Sequence, residues 1–148
     1  MARVTIWLGI LAVLLIAAGC SPKPKGVQEL QPVVKHLQAI SGAYIKTTQT
    51  LGRPPKNAAE LRPALQEAGD PDQLLRSPGD GEEFVIVWGV DPRGPQAAPK
   101  DGKLAVLIYE KKGTGGKHYV LQMPTMITTL TDDELKNAYF PGGHKYSP

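Results

Sequence analysis

"LQAISGAYIKTTQTLGRPPKNAAEL", residues 37–61, sets the architecture of the chain. Extended slightly upstream, it places Leu30, Val33, Leu37, Ile40 and Tyr44 at spacings of three and four, with Val34 and Ile45 widening the stripe. Those spacings put apolar side chains on one face of an amphipathic helix. Pro32 fits only a first helical turn, and Gly52 with Pro54-Pro55 ends the run, so the pattern predicts one helix over about residues 30–50. Gly42 weakens it slightly and permits close packing. Asn57-Ala58-Ala59-Glu60 resembles a capping box and opens a short helix carrying Leu61 and Leu65, whose regularity Pro63 is expected to break. Asp70-Pro71 predicts one further turn ending near Leu75.

Working outward, three apolar runs follow: Phe84 to Trp88, Leu104 to Tyr109, and Tyr119 to Leu121. They are short and rich in β-branched and aromatic residues, as strands are. Lys111 to Lys117, "KKGTGGK", joins the second and third as a hairpin, and Pro92 to Pro99 reads as a loop. Thr131-Asp132-Asp133-Glu134 is a second capping box, expected to start a helix to about Tyr139, which Pro141-Gly142-Gly143 stops. The expected class is α+β: one long N-terminal helix packed on a three- or four-stranded antiparallel sheet, with short helices before and after. The runs do not alternate cleanly, so both sheet faces are expected to be covered. The long helix would cover one. The terminal helix or a partner would cover the other.

The chain has 148 residues, enough for one domain, and 41% apolar with 21% charged residues is a globular composition. Sixteen Gly and fourteen Pro imply generous loops. The formal charge is +3, and +2 once residues 1–19, which contain Arg3, are set aside. That is too small to argue for nucleic acid. The single cysteine excludes an internal disulfide and a multi-cysteine zinc site.

That cysteine follows an export-like segment. Met1-Ala2-Arg3 carries one positive charge, Val4 to Ile16 is almost wholly apolar, and Ala17-Ala18-Gly19 supplies small residues before Cys20. The apolar run is shorter than the roughly 20 residues of a membrane-spanning helix. Ala17-Ala18-Gly19-Cys20 resembles the lipobox of bacterial lipoproteins, with Ala17 where Leu is common. The resemblance implies a diacylglycerol on the Cys20 thiol, cleavage before it, and acylation of the new amine. An ordinary signal-peptidase site and an uncleaved anchor are the alternatives. Ser21 to Gly26, "SPKPKG", reads as an extended tether. The expected organisation is a signal peptide at 1–19, the lipidated Cys20 and tether at 20–26, the α+β domain at 27–140, and a loose tail at 141–148. The expected location is exported, anchored by the N-terminal lipid and facing the periplasm. Ser21 rather than Asp after the cysteine resembles the outer-membrane default of double-membraned bacteria, a sorting rule that varies, so the membrane stays open.

Residues 37–61 also resemble the start of the soluble domain of type II secretion pseudopilins: a long helix with Ala-Tyr near its end, a Gly-x-Pro turn, a short helix, then a small antiparallel sheet. The resemblance implies a pilin-like fold. It does not carry over filament building, because Cys20 and a tether stand where a pilin has its hydrophobic helix. "LLRSPGDGEEFVIVWG" (74–89) and "TDDELKNAYFPGGHK" (131–145) resemble small bacterial lipoproteins with no assigned activity, which supply no catalytic residues.

Candidate chemistry is sparse. "KKGTGGKH" (111–118) has the composition of a phosphate loop, but Lys111 stands where a Walker motif needs Gly and His118 where it needs Ser or Thr. Lys100 and Lys103 flank the start of a strand, and Lys111, Lys112 and Lys117 its end, roughly 25 Å away, so they form no single tight site. Asp70, Asp72, Asp80, Glu82 and Glu83 crowd a loop without EF-hand spacing, which leaves calcium a minor alternative. His36, His118 and His144 are scattered, and Ser41 and Ser77 lack a nucleophile elbow. No catalytic residue, metal ligand or cofactor is assigned. The expected function is a non-catalytic interaction or assembly module held to a membrane lipid through Cys20, its protein partner unidentified. The alternative is a ligand-binding or sensor lipoprotein with an apolar pocket near Trp88 and Tyr109.

Overall fold

The computed structural model describes residues 31–148. The segments expected as signal peptide (1–19) and as Cys20 with its tether (20–26), and residues 27–30 with Leu30 of the expected helix, lie outside the described residues. The element order is α1 (Pro32–Leu51), α2 (Ala58–Gln66), α3 (Pro71–Leu74), β1 (Val85–Ile86), β2 (Val106–Tyr109), β3 (Lys117–Gln122), β4 (Met126–Thr131) and α4 (Asp132–Lys136). The strands form one antiparallel sheet in the order β1-β2-β3-β4. A long helix with a four-stranded antiparallel sheet and short helices is the expected pilin-like α+β arrangement.

Helix α1 starts with Pro32 in its first turn and ends at Gly52, which takes the left-handed conformation with φ 67° that favours glycine. Val33, Leu37, Ile40 and Tyr44 are buried on one face, as their spacing requires. They pack with Leu107, Ile108 and Leu121 of the sheet and with Leu61 and Leu65 of α2. Each such side chain fully buried is worth about 1.5–3 kcal/mol. Helix α2 runs through Pro63 rather than breaking there, and its buried Leu61 and Leu65 offset the missing backbone bond. Its Asn57 cap accepts the Glu60 N–H, and Glu60 in turn accepts the Lys56 N–H and both arms of Arg53.

The sheet differs from the expected strands in three instructive ways. The run Phe84 to Trp88 contributes only Val85–Ile86 to the ladder. Gly89, at φ 74°, turns the chain away and donates to the Pro55 carbonyl. Second, the β2–β3 register shifts between Val106 and Ile108, so Leu107 is an extra residue in β2. Val106 and Tyr109 therefore share one face, while Leu107 and Ile108 join the α1 core. This bulge is why the run lacks clean alternation. Third, Met126–Thr131, "MITTLT", forms a fourth strand in unbroken register with β3. Its polar threonines gave no apolar run, although four of its six residues are β-branched.

The second face of the sheet has its own small core of Val106, Tyr109, Val120 and Leu135, with Leu130, Ala138, Phe140 and Tyr146 packed against it. Helix α4 and the C-terminal segment cover that face. Helix α4 is shorter than expected and ends at Lys136, where the chain pairs instead: Val106 donates to the Tyr139 carbonyl.

Candidate functional site

The chemistry-bearing side chains gather where β2 and β3 meet the C-terminal segment. His118, on β3, is 1% exposed. Its Nδ1 lies 2.8 Å from the Glu110 carbonyl and its Nε2 lies 3.0 Å from Asp132 Oδ1. Both ring nitrogens thus face oxygen acceptors. Asp132 sits in the first turn of α4, positioned by a capping box in which Thr131 and Glu134 exchange hydrogen bonds. The Tyr146 hydroxyl donates to the same Asp132 oxygen at 2.6 Å. Tyr146 first, then His118, hold the Asp132 carboxyl below the usual carboxylate range. Burial, and then the Asp132 carboxylate, push the Tyr146 phenol above its ordinary value.

Beside this chain of bonds, Tyr109 is fully buried and ringed by Phe140, His144 and Tyr146 at centroid distances of 5.6, 6.0 and 5.6 Å. Its hydroxyl lies 3.2 Å from His144 Nε2 and accepts the Ser147 N–H. Burial raises the Tyr109 phenol and lowers the His144 imidazole. Outside the ring is an open hollow of about 670 Å³ lined by Tyr139, Phe140, His144, Tyr146 and the lysines Lys100, Lys136 and Lys145. Lys100 stands 5.9 Å over the Tyr139 ring, a cation–π contact.

A second polar pair is buried nearby. Glu110 is 1% exposed; it accepts the Ser77 hydroxyl on one oxygen and the Tyr119 N–H at 2.8 Å on the other. Gly79 lies against it, since a Cβ there would come within 2.6 Å of Glu110 Oε1. Ser77 is thus bound to a carboxylate rather than to a histidine.

The remaining sequence candidates fall as follows. His36 lies apart from the other histidines, against the Arg76 carbonyl, and Ser41 sits on the buried face of α1. The Gly-rich loop is a tight hairpin: Thr114 and Lys117 bond mutually around Gly115 and Gly116, both at positive φ. Its Lys112 and Gly113 N–H groups donate to Asp80 Oδ2 at 2.9 and 2.8 Å, so a carboxylate of the chain itself occupies the anion position. Lys100 and Lys103 close a second tight turn, and the Lys103 ammonium caps the Asn137 carbonyl at 2.6 Å. The acidic residues do not converge. Asp70 caps α3, Asp72 pairs with Arg62, Asp80 holds the hairpin, and Glu82 pairs with Lys112. Among the described residues no group of three or more His, Cys, Asp or Glu is placed to hold a metal ion.

Trp88 and Tyr109 lie on opposite sides of the sheet. Trp88 stacks on Tyr44 at 6.3 Å in the α1 core, and Tyr109 belongs to the second core, so they do not flank a common pocket. The residues that sequence reasoning missed are Tyr146 and Glu110, while His144, expected only as one of three scattered histidines, joins the cluster on Tyr109. Residues 141–148, expected as a loose tail, bury Pro141 and bring His144 and Tyr146 onto Tyr109. The available signal was the ring density of Tyr139, Phe140, His144 and Tyr146, masked by the intervening Pro-Gly-Gly.

Comparison of this chain with protein-family models, with curated proteins and with solved structures finds no match.

Proposed function

We propose that this chain is a lipoprotein of the cell envelope, anchored by lipid on Cys20, whose α+β domain is a non-catalytic interaction or assembly module. The observation that carries the reading is the order charged start, apolar run, Ala17-Ala18-Gly19, Cys20, followed by a Pro/Lys tether. Two or more acyl chains on Cys20 give stable attachment, at about 0.8 kcal/mol per buried CH₂.

The non-catalytic half is supported by how the polar groups are used. A general base needs a nitrogen or oxygen within reach of a substrate proton. His118 has both nitrogens on internal acceptors, and Ser77 is bonded to Glu110 beneath the surface. His118 and Tyr146 on Asp132 tie β3, α4 and the C-terminal segment together, and Ser77 on Glu110 ties the loop after α3 to the end of β2, which are structural uses. Mass spectrometry of the mature N-terminus tests the anchor: a diacylglyceryl-modified Cys20 is expected, and an unmodified thiol overturns it. Cys20→Ala should move the protein from the membrane fraction to the soluble fraction.

A ligand-binding reading is favoured by one feature, the hollow lined by three lysines and the Tyr139, Phe140 and Tyr146 rings. Cationic rims with aromatic walls suit an anion carrying an apolar part. A thermal shift on adding small aromatic carboxylates, lost in Lys100→Ala, supports that reading; no shift across such a panel removes it.

A further inference from the structure

Among the described residues strand β4 is the edge of the sheet, and its own six positions lack the devices that usually protect an edge. Residues 124–131, "PTMITTLT", carry no charge, and the six residues of β4 hold a regular register with no bulge. The opposite edge, β1, is only two residues long.

The direction of the backbone groups follows from the ladder. Glu110 donates to the Tyr119 carbonyl and Met123 to the Ala105 carbonyl, so odd-numbered β3 residues point their main-chain groups toward β2. Even-numbered β3 residues therefore bond β4, through the pairs His118–Leu130, Val120–Thr128 and Gln122–Met126. The intervening Ile127 and Thr129 aim their N–H and C=O groups outward. Among the described residues those four groups have no partner. Thr131, the next outward residue, has its N–H bonded to Glu134 in the helix cap.

We propose that β4 pairs with β4 of a second copy of this chain, antiparallel, about a two-fold axis at Thr128. In that register Ile127 faces Thr129 of the other copy and the reverse, so all four outward groups are satisfied by four hydrogen bonds. Met126, one of the two large apolar side chains exposed among the described residues at 51%, then lies opposite Leu130 of the second copy. Asp132 lies opposite Pro124, so no like charges meet across the seam. Registers centred on Ile127 or Thr129 lose this match, because they demand the Pro124–Thr125 turn or the Thr131 N–H already used. The self-complementary, uncharged strand is what selects a second copy over a foreign strand. The inference names a partner for the interaction reading above, but it rests on strand geometry and not on the lipid.

The test uses the full chain in detergent. Thr128 of the two copies would form a non-hydrogen-bonded pair with Cα atoms about 4.5 Å apart, within disulfide range. Under mild oxidation Thr128→Cys should form covalent dimer about tenfold faster than Gln38→Cys, an exposed control on α1, with the cross-link mapped to 128–128 rather than to Cys20. Thr128→Lys sets like charges on the axis and should weaken association about tenfold, while its circular dichroism matches wild type. Should Thr128→Lys fail to fold, the Thr128→Cys rate decides alone. Oxidation no faster than the control, a dimer indifferent to Thr128→Lys, or a cross-link to another protein each overturns the proposal. A dimer that persists in Cys20→Ala separates this inference from the anchor, since the anchor reading can then fail without it.

Discussion

At the scale of single residues, stability is concentrated in a few buried polar atoms. The Tyr44 hydroxyl donates to the Val90 carbonyl at 3.0 Å and accepts the Val90 N–H at 3.2 Å, which pins the chain after β1 to the middle of α1. Burial pushes its phenol up to about 12. Tyr44→Phe keeps the ring and strands both Val90 groups, so a loss of about 1–3 kcal/mol is expected in urea unfolding. Gly113 is a backbone constraint of another kind. A Cβ there would lie 2.3 Å from the Lys117 carbonyl oxygen, whereas at Gly115 it meets nothing within 4 Å. Both have positive φ, so Gly115→Ala should cost about 1 kcal/mol of left-handed strain. Gly113→Ala should cost clearly more, since it must open the hairpin and release Asp80. Equal melting temperatures for the two variants would contradict this account.

At the scale of elements, legibility followed periodicity. Helix α1 was readable because Val33, Leu37, Ile40 and Tyr44 repeat every three to four residues and Pro32 and Gly52 mark its ends. Leu37 is fully buried and Leu51, at the end of the same helix, is 44% exposed. Leu37→Ala should therefore lower stability by about 2–5 kcal/mol, and Leu51→Ala by less than about 0.5, in denaturant titrations. Strand β4 was not readable from apolar runs, because an edge strand buries little and Thr serves it as well as Val. Its second use hid it further: Thr131 ends the strand and caps α4 at once. The polar cluster was hidden for a different reason. His118, Asp132 and Tyr146 are each unremarkable in sequence, and only the hairpin turns and the C-terminal return bring them within hydrogen-bond distance.

At the scale of the whole molecule, the two faces of the sheet are held by different chemistry. The α1 face rests mainly on apolar packing, and its buried Tyr44 phenol, raised to about 12, titrates only in alkali, so acid leaves that contact alone. The C-terminal face adds to its small apolar core a titrating contact through Asp132, whose carboxyl is held low by Tyr146 and His118. A depressed carboxyl contributes stability above its unfolded value, near 4, and loses it as the pH falls through the folded value. Tyr146 is the mirror case: its raised phenol contributes below about pH 10 and loses that contribution as the pH rises further. Tyr146→Phe should thus lower the melting temperature at pH 7, and its gap to wild type should narrow in acid below the carboxylate range. A gap constant from pH 7 to pH 2 would show that the contact does not titrate.

The extra residue in β2 has one more consequence. With Leu107 counted out, Val106, Ile108 and Tyr109 meet Gln122, Leu121 and Val120 in unbroken phase. The strand is one residue longer than its pairing needs. Deletion of a strand residue ordinarily inverts every side chain beyond it. Deleting Leu107 shortens β2 to the length of its own ladder, so it should cost about one buried leucine, 2–5 kcal/mol, and still fold. Deleting Val120, directly across the ladder from Tyr109, would turn Leu121 away from the α1 core, and that chain should show no cooperative unfolding transition.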